Sequence, residues 1–342
     1  MIRYPAPLRP GDRIGVTSPS AGVADALRPR LDHAVRTLRD LGYDVVVGRC
    51  MAGDGVVSAP ACERASELMA MLLDPAVRAV VPPWGGELAI DLLPHLDWDA
   101  VAAAEPTWLV GYSDISTLLA AMTLRTGIAT LHGPNLMDTP YAVPEPLLAW
   151  HAVASAAPGA PLRQGPAARY RSTGWDDYVR TPQVDEYHLD APGGWRLLDG
   201  TAGDVLLRGR LIGGCLETVA NLSGTPYGPA AEFAGRHAPE GTVVYLEVAE
   251  ADAFEAARRL HGMRLAGWFD AATGVLVGRT AAPDSPGLTQ QDAVRDALGT
   301  LGVPVVLDVD CGHVPPQLAL VNGARTVVAR TAGRWTLEQV MD

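Results

Sequence analysis

Trp108-Leu109-Val110-Gly111-Tyr112-Ser113-Asp114-Ile115 joins a short apolar run to a helical pattern through one tight turn. Trp108–Val110 reads as a buried strand, and the helical spacing from Ile115 to Arg125 stops at Gly127. The same unit recurs upstream. Arg13–Thr17 reads as a strand followed by the turn Ser18-Pro19-Ser20, Ala26–Leu41 as a helix ended by Gly42, and Tyr43–Val47 as a second strand. Cys62–Leu73 reads as a helix and Val77–Val81 as a strand running into Pro82-Pro83-Trp84-Gly85-Gly86-Glu87. Strands alternating with helices predict a parallel sheet covered on both faces. Ligands bind such sheets at the carboxyl ends of the strands, which gathers the Ser18, Gly85 and Ser113 loops on one rim.

Downstream the alternation stops. The stretch 158–203 is rich in Gly, Pro, Asp and Arg, with Trp175, Tyr178, Tyr187 and Trp195 interspersed, and reads as an interdomain connection. Those aromatics either pack a long loop or touch substrate. Strand patterns resume at Val243–Val248, Gly274–Gly278, Pro304–Val309, Gln317–Val321 and Arg325–Ala329, with helical spacing at Ala251–His261 and Thr289–Leu298 between them. The expected organisation is an α/β N-terminal domain over 1–155, a connection with a substrate loop over 156–203, and a smaller β-rich C-terminal domain over 204–342. A chain of 342 residues exceeds the usual single-core size, and 48% apolar residues suffice for two cores.

The formal net charge is −12 and no Lys/Arg cluster exists, which argues against a nucleic-acid partner. No uncharged apolar run reaches membrane-spanning length, and Met1–Pro7 is too short and too Pro-rich for a signal peptide. Cys50, Cys62, Cys215 and Cys311 form no CxxC pair. The expected setting is the cytoplasm, with free thiols.

Four positions carry candidate chemistry. Ser113 lies on a strand-to-helix turn, where the positive end of the helix dipole favours a developing oxyanion. The motif is not G-x-S-x-G, since Ile115 holds the fifth position, and a Ser-Asp pair before a helix also reads as a simple cap. Gly85 and Gly86 can turn backbone N–H groups toward a ligand, or form a plain turn. Glu247 ends the apolar run Val243–Leu246 and either orients an imidazole or is merely solvated; Glu250 competes for that role. His313, one of eight histidines, follows the strand pattern Pro304–Val309 in Asp310-Cys311-Gly312-His313 and can act as a base toward a neighbouring loop. Asp308, Asp310, Cys311 and His313 also admit a metal reading, without an HExxH or a second histidine at ligand spacing to support it.

Gly111-Tyr112-Ser113-Asp114, Leu211-Ile212-Gly213-Gly214-Cys215-Leu216, the strand ending at Glu247 and Cys311-Gly312-His313 together resemble the LD-carboxypeptidase family of serine peptidases, which includes the microcin C self-immunity peptidases. The likeness runs from Gly11-Asp12-Arg13-Ile14 almost to the last strands. It implies a flavodoxin-like N-terminal domain, a β-rich C-terminal domain and a Ser113-Glu247-His313 triad between them. It further implies an oxyanion hole from the backbone of Gly86 and Asp114, no cofactor or metal, and a homodimer. Within the family the chain looks closer to the immunity branch, whose substrates are peptidyl or aminoacyl nucleotides. Murein tetrapeptide cleavage is the alternative within the family. Trp84, Gly85, Trp175, Trp195 and Cys215 are the expected substrate contacts, with Arg171, Arg180 and Arg196 as candidate anion binders. Cys215 stands where many relatives have Asn, the stretch after Glu247 lacks an expected basic residue, and Pro82-Pro83-Trp84 replaces the usual approach to Gly-Gly. Outside the family two readings stay open: a small-ligand binding module in which Ser113 only caps a helix, and a metal-dependent amidohydrolase using Asp310 and His313.

Overall fold

The computed structural model describes residues 1–53 and 56–342. In chain order the first part contains β1 (Arg13–Val16), α1 (Arg28–Asp40), β2 (Asp44–Val47), α2 (Ala61–Leu73), β3 (Val77–Val80), α3 (Trp98–Ala103), β4 (Trp108–Gly111), α4 (Ser116–Thr126), β5 (Thr130–His132) and α5 (Trp150–Ala154). Next come β6 (Leu162–Gln164), β7 (Arg169–Tyr170), β8 (Ala191–Pro192), β9 (Arg196–Leu197), β10 (Val205–Cys215), α6 (Leu216–Val219) and α7 (Ala230–His237). The chain finishes with β11 (Thr242–Glu247), α8 (Ala253–Leu265), β12 (Ala272–Gly278), α9 (Gln290–Leu298), β13 (Val305–Val309), β14 (Leu320–Asn322), β15 (Arg325–Thr331) and β16 (Arg334–Val340).

Two large sheets result. The first has the order β14-β5-β4-β3-β1-β2, with β1 to β5 parallel. The mixed α/β, parallel-rich fold is as the sequence predicts. β14 comes from far downstream and adds antiparallel to β5, pairing Leu320 with His132. The second sheet has the order β6-β16-β15-β10-β11-β12-β13-β9, of which β10 to β13 are parallel. Its outer strands β6 and β9 are drawn from the Gly/Pro-rich stretch between the two patterns.

Packing follows from the sequence pattern. β4 is buried at all four positions, and α4 is buried from Ser116 to Leu124, so this mostly apolar helix is covered on every side and lies between the sheets. Gly127 caps it at φ 69°, in the left-handed region. α9 opens with a capping box in which Thr289 and Asp292 satisfy each other's N–H groups. One core joins the first sheet to the near face of the second, and a second core around Trp195, Trp335 and Tyr245 covers the far face. Among the described residues no helix is long and apolar enough to cross a membrane.

The arrangement sets two strand edges against each other. β1, β3 and β4 deliver the Ser18, Gly85 and Ser113 loops to the carboxyl rim of the first sheet. β10, β11 and β13 end at Cys215, Glu247 and the Asp310–His313 loop on the carboxyl rim of the second. The Cys215 N–H donates to Ser116 Oγ at 3.1 Å, tying the two rims together beside Ser113.

Candidate active site

Ser113 is the residue at which β4 turns into helix. Its φ is 61°, a left-handed conformation uncommon for a residue with a Cβ, so the local fold holds strain where its hydroxyl is presented. The turn is fixed from three sides. Asn135 Oδ1 accepts the Tyr112 N–H at 3.2 Å. The buried Asp114 carboxylate accepts from Ser20 Oγ at 2.5 Å and from the Ala89 N–H at 2.7 Å. Burial nonetheless holds Asp114 above the usual carboxylate range, against those two hydrogen bonds. Gly85 completes the turn, because a Cβ there would stand 2.8 Å from both Cβ and Oγ of Ser113. Only a bare backbone can approach the serine this closely.

His313 Nε2 lies 3.0 Å from Ser113 Oγ, and its Nδ1 lies 2.9 Å from Glu247 Oε2. Three residues 66 and 200 positions apart in sequence thus form one continuous hydrogen-bonded chain. Glu247 is fully buried, and its Oε1 has no partner within the protein. Gly312, at φ 96°, makes room for it: a Cβ on Gly312 would fall 2.3 Å from Glu247 Oε2. Burial disfavours the charged imidazolium of His313. The charge and hydrogen bond of Glu247 outweigh that, with Glu217 and Asp138 adding, and the His313 pKa stands above its ordinary 6.5. Reciprocally, burial opposes the Glu247 carboxylate but His313 holds its pKa below the ordinary value. Behind them His132 is fully buried, and burial lowers its pKa to about 4, so it stays neutral against the edge of Tyr245. Such a set of hydroxyl, imidazole and buried carboxylate can move a proton from oxygen to nitrogen and stabilise the ion formed.

Ser113, Glu247 and His313, expected together from the family resemblance, do meet. So do Gly86 and Asp114: both line the cleft beside Ser113, and among the described residues neither backbone N–H donates to a protein acceptor. Gly85, Trp84 and Trp175 line an aromatic arm of the cleft with Tyr112, Met137 and Tyr178. Trp84 is anchored there by Nε1 donating to the Gly22 carbonyl at 3.1 Å. Trp175 is 58% exposed, with its ring edge-on to His313 at 6.5 Å. Cys215 lines the opposite arm; its thiol donates to Glu217 Oε2 at 3.2 Å, and burial pushes its pKa far up.

Other expectations are corrected. Trp195 is not a cleft residue. It is buried in the far core, where Nε1 donates to Asp310 Oδ2 at 2.8 Å and its ring tilts against Trp335. Tyr187 stacks on Tyr141 at 4.2 Å, and the Tyr178 hydroxyl donates to Asp138 at 2.6 Å, so most of the loop's aromatics anchor the loop itself. The three arginines are engaged elsewhere: Arg171 with Asp176, Arg180 with Asp177 and Arg196 with Asp308. The metal reading of the 308–313 stretch dissolves for a similar reason. Asp310 pairs with Arg279 at 2.8 Å and also accepts from Trp195 and the Ala167 N–H. Among the described residues one group, Cys215, Glu247 and His313, brings ligand-type atoms within 4.8 Å of one another. Its atoms are already hydrogen-bonded among themselves and to Glu217, and its thiol is held protonated, a donor set unsuited to a cation.

Sequence reasoning missed Glu217. Its Oε1 accepts the N–H groups of Ala249, Glu250 and Ala251 at 2.9–3.0 Å, fixing the chain immediately after Glu247. The signal was the one used for Glu247, a carboxylate following the end of a strand.

Comparison with known proteins matches residues 14–133 to the LD-carboxypeptidase N-terminal domain and residues 208–328 to the LD-carboxypeptidase C-terminal domain. A Streptomyces coelicolor protein assigned to the carboxypeptidases is 31% identical over 98% of this chain and 96% of its own length. The microcin C7 self-immunity protein MccF of Escherichia coli is 26% identical over 94% of this chain and 92% of its own. A solved structure of MccF in complex with aspartyl sulfamoyl adenosine superposes with a TM-score of 0.81 at 23% identity, covering 100% and 99% of the two chains. The murein tetrapeptide carboxypeptidase of Pseudomonas aeruginosa is 30% identical over 69% of this chain and 66% of its own.

Proposed function

The chain belongs to the LD-carboxypeptidase family of serine peptidases, and on that premise we propose that Ser113 is its nucleophile, His313 its general base and Glu247 the acid that orients the base. The observation that carries the reading is the unbroken hydrogen-bonded chain from Ser113 Oγ through His313 to Glu247. With Nδ1–H donating to Glu247, Nε2 is free to accept the serine proton. Oγ attacks the carbonyl carbon of an amide while its proton passes to Nε2. The oxyanion that forms is met by the Gly86 and Asp114 N–H groups at the start of the helical turn. His313 then returns the proton to the leaving nitrogen, the C–N bond breaks, and an acyl-Ser113 ester remains. Water, deprotonated by the same Nε2, hydrolyses the ester and frees Ser113.

For the substrate we propose the amide of a peptidyl or aminoacyl nucleotide, as in the immunity branch. The near full-length likeness to MccF supports this, as does Trp175, an exposed aromatic beside His313 that can stack on a base. The murein tetrapeptide is the second reading. It is favoured by the Pseudomonas relative and by the absence of a basic residue directly after Glu247. Mass spectrometry of the products from an aminoacyl sulfamoyl adenosine, a murein tetrapeptide and a simple dipeptide decides between them. Cleavage of the adenosine compound at its amide supports the first reading. Release of D-alanine from the tetrapeptide alone supports the second, and no cleavage with a well-folded protein refutes both.

A further inference from the structure

The loop that carries Trp175 has no regular structure of its own. β7 and β8 pair at its base, and residues 171–190 between them form neither helix nor strand. A loop of this length keeps one position only if side chains hold it. Trp175 is exposed and its ring meets His313 edge-on, so its place depends on what anchors its neighbours. Asp176 accepts from Arg171 Nη2 at 2.7 Å and from the Tyr141 hydroxyl at 2.6 Å. The Tyr178 ring, three residues beyond Trp175, faces a cation from the far end of the first sheet's sequence.

That cation is Arg30, in the first turn of α1 and fully buried. Its guanidinium lies over the Tyr178 ring at 4.3 Å and over the Tyr141 ring at 5.1 Å. Nε donates to the Met137 carbonyl at 2.7 Å, and Met137 lines the aromatic arm of the cleft. Nη1 donates to the Val184 carbonyl at 2.5 Å and to the Pro182 carbonyl at 3.2 Å. One side chain thus joins the cleft wall, the loop's aromatic and the loop's returning backbone. Buried carbonyls in an irregular loop need donors. A planar guanidinium donates along its edge while it stacks by its face, which an ammonium cannot do.

We propose that Arg30 is a positioning residue: it holds the Trp175 loop against the cleft, so the affinity gained through that loop depends on a side chain outside the cleft. The loop is then a preformed platform and not a flap that closes on substrate. The kinetic consequence rests on the hydrolase reading; the anchoring of the loop does not. The chain contains no lysine, so trypsin cuts it only after arginine. Within the loop Arg180 is exposed and Arg171 is buried, so native-state cleavage after Arg180 reports the population of open loop. Arg30→Met should raise that rate at least about tenfold without opening other arginine sites, and Arg30→Lys should fail to restore the wild-type rate. Tyr178→Leu removes the stack from the loop side and should accelerate the same cut, which keeps the test open if Arg30→Met does not fold. An unchanged rate in a folded variant, cutting spread over the whole chain, or full restoration by Arg30→Lys overturns the proposal.

Kinetics test the consequence. On the substrate that the wild type cleaves, Arg30→Met should raise KM about tenfold with kcat within about threefold, because fewer molecules hold the loop in place. It should add little to Trp175→Ala, since both act through one platform. A fall in kcat with KM unchanged, or full additivity with Trp175→Ala, overturns the positioning role. Fluorophosphonate labelling of Ser113 should keep its wild-type rate in Arg30→Met. A wild-type protein that neither labels nor cleaves fails the hydrolase reading, and the trypsin comparison then still decides the role of Arg30.

Discussion

Glu247→Gln isolates what a buried carboxylate contributes to the proposed chemistry, because it removes the charge and keeps the shape. Glu247 Oε2 stands 2.9 Å from His313 Nδ1 with no exposure to water. During attack by Ser113 the imidazole becomes an imidazolium whose charge centre is about 4 Å from the carboxylate; at an effective dielectric of about 20 the pair is worth about 4 kcal/mol. At about 1.4 kcal/mol per factor of ten, kcat/KM should fall about a thousandfold. The pH profile carries the sign. Only neutral His313 can take the serine proton, so activity rises as pH passes its pKa, which Glu247 holds above 6.5. Without that charge, burial dominates and the acid limb of kcat/KM should move to lower pH. Glu250→Gln leaves the His313 hydrogen bond in place, and its loss in kcat/KM should stay below about tenfold. The assay is kcat/KM against pH for the three proteins, with circular dichroism to verify folding. A loss below tenfold in Glu247→Gln, an acid limb that stays put or moves up, or a larger loss in Glu250→Gln would refute the reasoning.

Three further outcomes are expected. Ser113→Gly removes both the hydroxyl and the Cβ that φ 61° disfavours, so it should lose turnover by several orders of magnitude yet gain about 1 kcal/mol in chemical denaturation. Trp175→Ala should weaken an adenosine-bearing substrate more than a murein tetrapeptide, whereas Trp195→Phe should alter neither selectivity, only stability by about 1–3 kcal/mol, because its Nε1 bond to Asp310 is buried. Asp310→Ala strands the buried Arg279 and should cost about 3–5 kcal/mol in denaturant unfolding, with unchanged activity per folded molecule in chelator-treated samples.

What was legible in the sequence was local. A strand that ends on a short turn into a helix declares itself by apolar runs, helical spacing and Gly stops, and the Ser113 setting emerged from that alone. The parallel orientation of the first sheet's strands then follows from the alternation of strands and helices. The two- and three-residue strands β6 and β9 were invisible, because segments that short have no period and are stabilised only by their partners. Likewise β14 reads as one more C-terminal strand, and nothing local says that it pairs with β5 in the other sheet. Trp195 shows how composition misleads: an aromatic in a Gly-rich loop looks like a ligand platform until the Asp310–Arg279 pair behind it is seen. Arg171 and Arg196 fail for the same reason, each paired with an aspartate that the fold of the loop brings to it, while Arg180 pairs locally with Asp177 three residues earlier. The Ser113–His313–Glu247 meeting required the family resemblance, since 200 residues separate its ends and no spacing rule spans them.

The account stands on Ser113 being an activated nucleophile, and covalent labelling tests that most directly. After incubation with a fluorophosphonate, intact-mass and peptide mass spectrometry should find one adduct, on the peptide containing Ser113. The adduct should be absent from Ser113→Ala and should form far more slowly in His313→Gln. A folded wild-type protein that stays unlabelled, or is labelled equally after Ser113→Ala, would contradict the account.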